Sequence, residues 1–146
     1  MNKDRIKNIV YYFVLYLIAG IMLFSGISKI IDPTPLIETL KLTAKLPEDI
    51  FIIIATILPI IEIVLGLLII LKIKPKPVMF ATVVLFAAFL VFSIYGTIVG
   101  MNNDCGCFGS LAKSEIGWRM VGRNVLFIAL SAFLLMRNIK PLIRVN

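Results

Sequence analysis

Histidine is absent from this chain, cysteine occurs twice, tryptophan once, and charged residues fill only 16% of its 146 positions. Without histidine, the usual neutral-pH base and the commonest metal ligand are both missing. Ser25, Ser28 and Ser93 have no imidazole to activate them, so a serine-hydrolase triad is excluded. There is no ATP-binding loop, and any transport would not be powered by this chain alone. Internal repeats and low-complexity tracts are also missing. The first apolar run is longer than a typical signal core and no A-x-A-like site closes it, so an uncleaved first helix is expected.

What the chain does have is apolar residues, 60% of the total, with a mean hydropathy of +1.04. They fall into four blocks, 9–27, 50–71, 78–99 and 118–136, each about as long as the 20 or so residues a helix needs to cross hydrocarbon. The expected fold class is an all-α integral membrane protein, a bundle of four transmembrane helices. Residues 1–146 form one domain, since this length suits one domain better than two. Membrane lipids are then the surrounding partner.

Lys and Arg outnumber Asp and Glu by 15 to 8, for a net charge of +7. No basic helix or arm gathers these charges, which argues against nucleic acid as a partner. They flank the apolar blocks instead. Three lie in the head (Lys3, Arg5, Lys7), three in the 72–77 turn (Lys72, Lys74, Lys76) and three in the tail (Arg137, Lys140, Arg144). By the positive-inside rule these nine mark the cytoplasmic side of the cytoplasmic membrane. Both termini are expected there, and the 30s–40s loop and the 101–117 loop are expected outside.

The short 72–77 turn should make the second and third spanning helices antiparallel neighbours. The outer segment 30–49 has room for a short surface helix, with Leu36, Ile37 and Leu40 on its apolar face and Pro47 closing it. Trp118, Tyr11 and Tyr12 suit interfacial anchors. Gly20, Ser28, Gly96 and Gly100 offer small surfaces for close helix packing. Met22, Met79, Met120 and Met136 read as packing residues, and Met101 lies near the cysteines.

Ionisable residues inside the apolar blocks narrow the search for a site. Glu62 falls near mid-membrane, where a charge costs about 2.5–3.5 kcal/mol on insertion scales. Pro59, Glu62 and Gly66 share one helical face, and Pro59 frees a backbone carbonyl. Arg123, between Gly122 and Asn124, is the expected internal partner of Glu62, although helical rise separates the two by about 10 Å in depth. Lys29 is a second candidate partner. Read most simply, Lys29 and Arg119 are snorkelling anchors.

Both cysteines sit one residue apart in N-D-C-G-C-F-G, 103–109. Outside the cytoplasm, paired thiols are candidates for a disulfide. As a structural staple, a three-residue ring would contribute only about 1.6 kcal/mol of unfolded-state entropy. So tight a ring also favours a labile bond, which suits exchange better than stapling. Gly106 fits the turn. Soft-metal binding by two thiolates and pairing with another chain remain open. Arg119 or Lys113 is the best available group for lowering a cysteine pKa, while Asp104 opposes it.

Four stretches together carry a family resemblance: F-S-G-I-S-K-I-I-D-P at 24–33, L-P-I-I-E-I-V-L-G at 58–66, D-C-G-C-F-G at 104–109 and G-R-N-V-L at 122–126. In this order the chain resembles the methylamine-utilisation MauE family, within the broader DoxX-like membrane proteins. The cysteine motif is the specific one. The resemblance implies a four-helix membrane protein that acts in maturing exported proteins, notably a disulfide-rich methylamine dehydrogenase subunit, alongside a thioredoxin-like partner. It also implies a thiol–disulfide relay with Cys105 and Cys107 as the exchanging pair and an exported thioredoxin-like protein or cysteine-containing client as partner. Glu62 and Arg123 complete the candidate catalytic set. A membrane quinone entering near the Glu62 face is a candidate for reoxidising the pair, without a quinone motif behind it. No other cofactor and no metal is expected. The competing class is a non-enzymatic membrane scaffold or small-solute carrier whose cysteine loop is structural or binds a soft metal. Oligomeric state is left open.

Overall fold

The computed structural model describes residues 3–43, 47–100 and 117–136. They form five helices: α1 (Lys3–Ile31), α2 (Thr34–Thr43), α3 (Glu48–Leu71), α4 (Pro75–Val99) and α5 (Trp118–Met136). All but α2 are long and apolar enough to cross a membrane. There is no regular strand among the described residues. A helix satisfies its own backbone groups internally, which is what an apolar run in lipid requires.

The first helix reaches well beyond the apolar block 9–27. Its charged head is helical from Lys3, and its last turn includes Ser28 and Lys29. At 29 residues it spans about 44 Å, longer than the hydrocarbon core. Asp32 ends it: its N–H still donates to the Ser28 carbonyl at 3.1 Å, while its Oδ1 accepts the Thr34 N–H at 3.1 Å. With Pro33 between them, this is N-cap chemistry that starts α2 in a new direction. Leu36 and Thr39 of α2 are buried, and Ile37 and Leu40 half-buried. Pro47 serves as the N-cap of α3, whose first turn carries Glu48 and Asp49. Those acids suit the positive end of the helix dipole. Lys41 and Glu48 pair at 2.8 Å across the α2–α3 connection, both exposed.

Helix α3 turns into α4 through Lys72 and Lys74, both left-handed, with φ of 53° and 42°. The Lys72 N–H caps the Ile69 carbonyl and Pro75 opens α4. Left-handed backbone disfavours side-chain-bearing residues by about 1–2 kcal/mol each. Pro75 has no N–H to leave unsatisfied at the helix start. The Lys72 ammonium also stands 4.3 Å from the Tyr12 ring centre, tying this turn to the start of α1.

Despite their short link, α3 and α4 are not each other's main neighbours. Helix α1 packs chiefly on α3, and α4 on α5. Leu15, Ile18, Ala19 and Met22 of α1 are buried at the centre, with Leu65 and Ile69 of α3, Met79 and Phe86 of α4 and Leu134 of α5 around them. Lipid is as apolar as leucine, so close packing rather than water exclusion holds such helices together. Gly26 and Gly66 allow that closeness. A Cβ on Gly26 would lie 2.7 Å from Ile63 Cγ1 and 2.8 Å from the Pro59 carbonyl oxygen. One on Gly66 would lie 2.9 Å from Leu23 Cγ and 3.2 Å from the Ala19 carbonyl oxygen.

The small-residue expectation therefore needs revision. Gly20 faces open space and Gly100 makes no close contact; the latter ends α4 with φ of 74°. Ser28 and Gly96 are buried. Among the aromatic anchors, Trp118 is 75% exposed and Tyr12 is exposed, but Tyr11 belongs to the core. Met22, Met79 and Met120 are buried and Met136 is exposed.

Candidate functional site

The crossing at Gly26 brings the Glu62 face of α3 against the last two turns of α1. Pro59, Glu62 and Gly66 are all buried on that face. Glu62 Oε1 accepts a hydrogen bond from the Lys29 ammonium at 2.6 Å and another from the Ser25 hydroxyl at 3.1 Å. Lys29 also donates to Ser25 Oγ at 2.9 Å, closing a three-membered cluster. Both side chains of the ion pair have 0% exposure. Ser25 and Lys29 lie four residues apart on α1, one turn of helix, which places both above the same carboxylate.

Lys29 is therefore not a snorkelling anchor. Its ammonium turns inward because Glu62 lies within reach and lipid offers nothing comparable. A lone charge at this depth is costly, and a paired, hydrogen-bonded one is tolerated. The ring of Phe89 on α4 covers the ammonium at 4.7 Å from its centre, a cation–π contact that completes the enclosure.

Arg123 is placed differently from the partner role expected of it. It lies half-buried on α5 and lines a cavity of about 20 Å³ together with Ser25, Glu62, Phe89 and Asn124. The charge partner of Glu62 is Lys29, and Arg123 faces the same small space from the opposite helix. That volume matches about one water molecule. Glu62 Oε2 is buried and has no hydrogen-bond partner among the described residues. The neighbouring Asn124 is buried, and its Nδ2 donates to Ser93 Oγ and to the Phe89 carbonyl oxygen, each at 3.3 Å. This bridge fixes α5 to α4 beside the ion pair.

A second cavity has a volume of about 180 Å³. Leu36 and Leu40 of α2, Ile54 and Leu58 of α3, and Leu85, Ala88 and Phe92 of α4 line it, with Lys29 as the one charged residue. Phe89 borders both spaces.

The contacts Lys29–Phe89 and Asn124–Ser93 place the late part of α1, the late part of α4 and the early part of α5 at one end of the bundle. Gly100 and Trp118, which bracket the cysteine segment, thus sit at the same end as α2. Cys105 and Cys107 themselves, with Asp104, Gly106, Phe108, Lys113 and Met101, lie outside the described residues. So does the tail with Arg137, Lys140 and Arg144. Among the described residues, no group of three or more His, Cys, Asp or Glu side chains could hold a metal ion.

The model of the family described as methylamine utilisation protein MauE matches residues 7–137. The chain belongs to the MauE family. That match takes in all four crossing helices almost entirely, α2 and the cysteine segment. No curated protein and no solved structure matches it significantly. In this MauE-family chain, Ser25 was the site residue that sequence reasoning passed over, having weighed it only as a nucleophile. The signal was present in F-S-G-I-S-K, where a small residue sits between a serine and a lysine one turn apart. Ser93 and Asn124 carried a similar signal, polar residues in two separate spanning blocks.

Proposed function

We propose that this protein is a membrane thiol–disulfide exchange component that supports the redox maturation of exported proteins, with Cys105 and Cys107 as the exchanging pair. One observation carries the reading: a chain matched to the MauE family along nearly its whole length keeps its only two thiols one residue apart, between two membrane-crossing helices. The family's name attaches it to methylamine utilisation, and a disulfide-rich exported enzyme subunit of that process is the client class this reading favours.

The chemistry is balanced without a metal. A thiolate of the partner attacks one sulfur of the Cys105–Cys107 disulfide and forms a mixed disulfide while the other sulfur leaves as thiolate. A second partner thiolate then attacks the mixed bond. The partner gains a disulfide, and Cys105 and Cys107 gain two electrons and, from solvent, two protons. Run backwards, the same steps deliver reducing equivalents to the partner. The nine positive residues of the head, the 72–77 turn and the tail support a cytoplasmic-membrane orientation with the cysteine segment on the extracytoplasmic face, where a thioredoxin-like partner would meet it.

Glu62, Lys29 and Ser25 support this chemistry at a distance, by fixing α1 to α3 beneath the end that carries the thiols. The closure of that cluster through Glu62 Oε1 also favours a second reading, a scaffold whose polar residues only hold helices together. Trapping separates the two. Cys105→Ser and Cys107→Ser variants, expressed singly and run on a non-reducing gel, should accumulate a reducible covalent adduct in one of them. Adduct in neither variant, with unchanged maturation of exported disulfide proteins in the double variant, would leave only the scaffold.

A further inference from the structure

Glu62 uses only half of its carboxylate. Oε1 accepts from both Lys29 and Ser25, while Oε2 is buried with no hydrogen-bond partner among the described residues. A carboxylate oxygen enclosed in that way is costly unless a donor reaches it. Glu62 also lines the 20 Å³ cavity that Ile21, Met22 and Ser25 of α1 share with Phe89 of α4 and Arg123 and Asn124 of α5. A site for one water needs about 10–15 Å³ of space and about two to four polar partners. Ser25, Glu62, Arg123 and Asn124 give this cavity polar walls, so both conditions are met.

Charge decides what the cavity takes. A metal cation would meet Lys29 on the carboxylate and Arg123 on the wall, and among the described residues no group of three or more acidic, Cys or His side chains could hold it. An anion would be repelled by Oε2 itself. An apolar molecule would leave that oxygen as it stands, and the volume admits little larger than water. Water alone suits both sides: it donates to a carboxylate oxygen and accepts from a guanidinium, which carries five N–H donors.

We infer that this cavity binds one water molecule, which donates to Glu62 Oε2 and accepts from Arg123, so that α5 joins the ion pair through solvent. Helix packing pairs α1 chiefly with α3 and α4 with α5. The water is therefore a hydrogen-bonded link between the two halves of the bundle, and it can be made or broken without disturbing the Lys29–Glu62 bond. The site stands on the cavity and the carboxylate, and does not depend on thiol exchange.

The test is a crystal structure of the full chain, grown in a lipid mesophase, at a resolution that shows ordered water. Density for one water is expected about 2.5–3.0 Å from Glu62 Oε2 and about 2.7–3.2 Å from a guanidinium nitrogen of Arg123. Ile21→Phe, which fills the space from a half-buried wall and leaves both charges in place, should lose that density. Phe127→Trp does the same from α5 should the first variant not fold. Val91→Phe, exposed on α4, should keep the water. In bilayers, solid-state NMR should show magnetisation passing from water protons to the Glu62 carboxyl carbon several-fold faster in the wild type than in Ile21→Phe. The Lys29 protons are present in both, so the difference belongs to the water. Arg123 bonded directly to Oε2, no density beside Oε2, or equal transfer in the wild type and the filled variant would each overturn the inference. A variant with both cysteines replaced by serine should keep the water, so loss of thiol exchange and loss of this site are read separately.

Discussion

At residue scale, the weight falls on three side chains that share one carboxylate oxygen. Lys29 and Glu62 are a buried pair, and such a pair is worth little over a well-packed apolar replacement yet costs about 3–5 kcal/mol when one partner alone is removed. Lys29→Met should therefore destabilise the protein by about that amount, and Glu62→Leu similarly. The double variant should recover most of the loss. Equilibrium unfolding in mixed detergent micelles measures all three, and additive losses would contradict the pairing. Ser25→Ala removes one hydrogen bond on each side of the cluster and should cost about 1–3 kcal/mol in the same assay. Arg123 takes no direct part in that pair; Arg123→Gln should leave the coupling between Lys29 and Glu62, measured by the double-mutant cycle, unchanged within about 0.5 kcal/mol.

At the scale of elements, the α1–α3 crossing positions everything else. Gly26 meets the Pro59 carbonyl and Ile63 at distances no Cβ tolerates, so Gly26→Ala must push the helices apart and lengthen the Lys29–Glu62 contact. A loss of about 1–3 kcal/mol is expected, against almost none for Gly20→Ala, which faces open space. Equal effects at the two glycines would mean the crossing is not what holds α1 to α3. Spanning helices were legible in the chain because long apolar runs have few alternatives in lipid. Which helices pack most closely was not. Chain order and a short turn put α3 beside α4, and the two do touch, but the tighter packing of α3 on α1 depends on matching surfaces, which the reciprocal glycines supply. Lys29 was named as a second candidate partner of Glu62 but read first as a snorkelling anchor, and for the same reason: whether a lysine near a helix end snorkels or turns inward depends on an acid supplied by another helix.

For the whole molecule, the bundle reads as a support that brings α2, the late turns of α4 and the start of α5 to one end, with an ion pair and an apolar cavity just beneath. The cysteine pair was proposed from residue spacing and resemblance alone, and it lies outside the described residues. By contrast, each cavity needed four helices to be placed before it existed. With the proposed extracytoplasmic placement of the cysteine end, a membrane-impermeant maleimide should label reduced Cys105 and Cys107 in intact cells without permeabilisation. Labelling only after lysis would put the thiols in the cytosol. The most direct measurement is differential alkylation with mass analysis of the Cys105–Cys107 pair while the cell is exporting disulfide-bearing proteins. Thiol–disulfide exchange requires that both disulfide and dithiol forms be found and that their ratio shift as client export is switched on. A pair locked in one oxidation state throughout would contradict it.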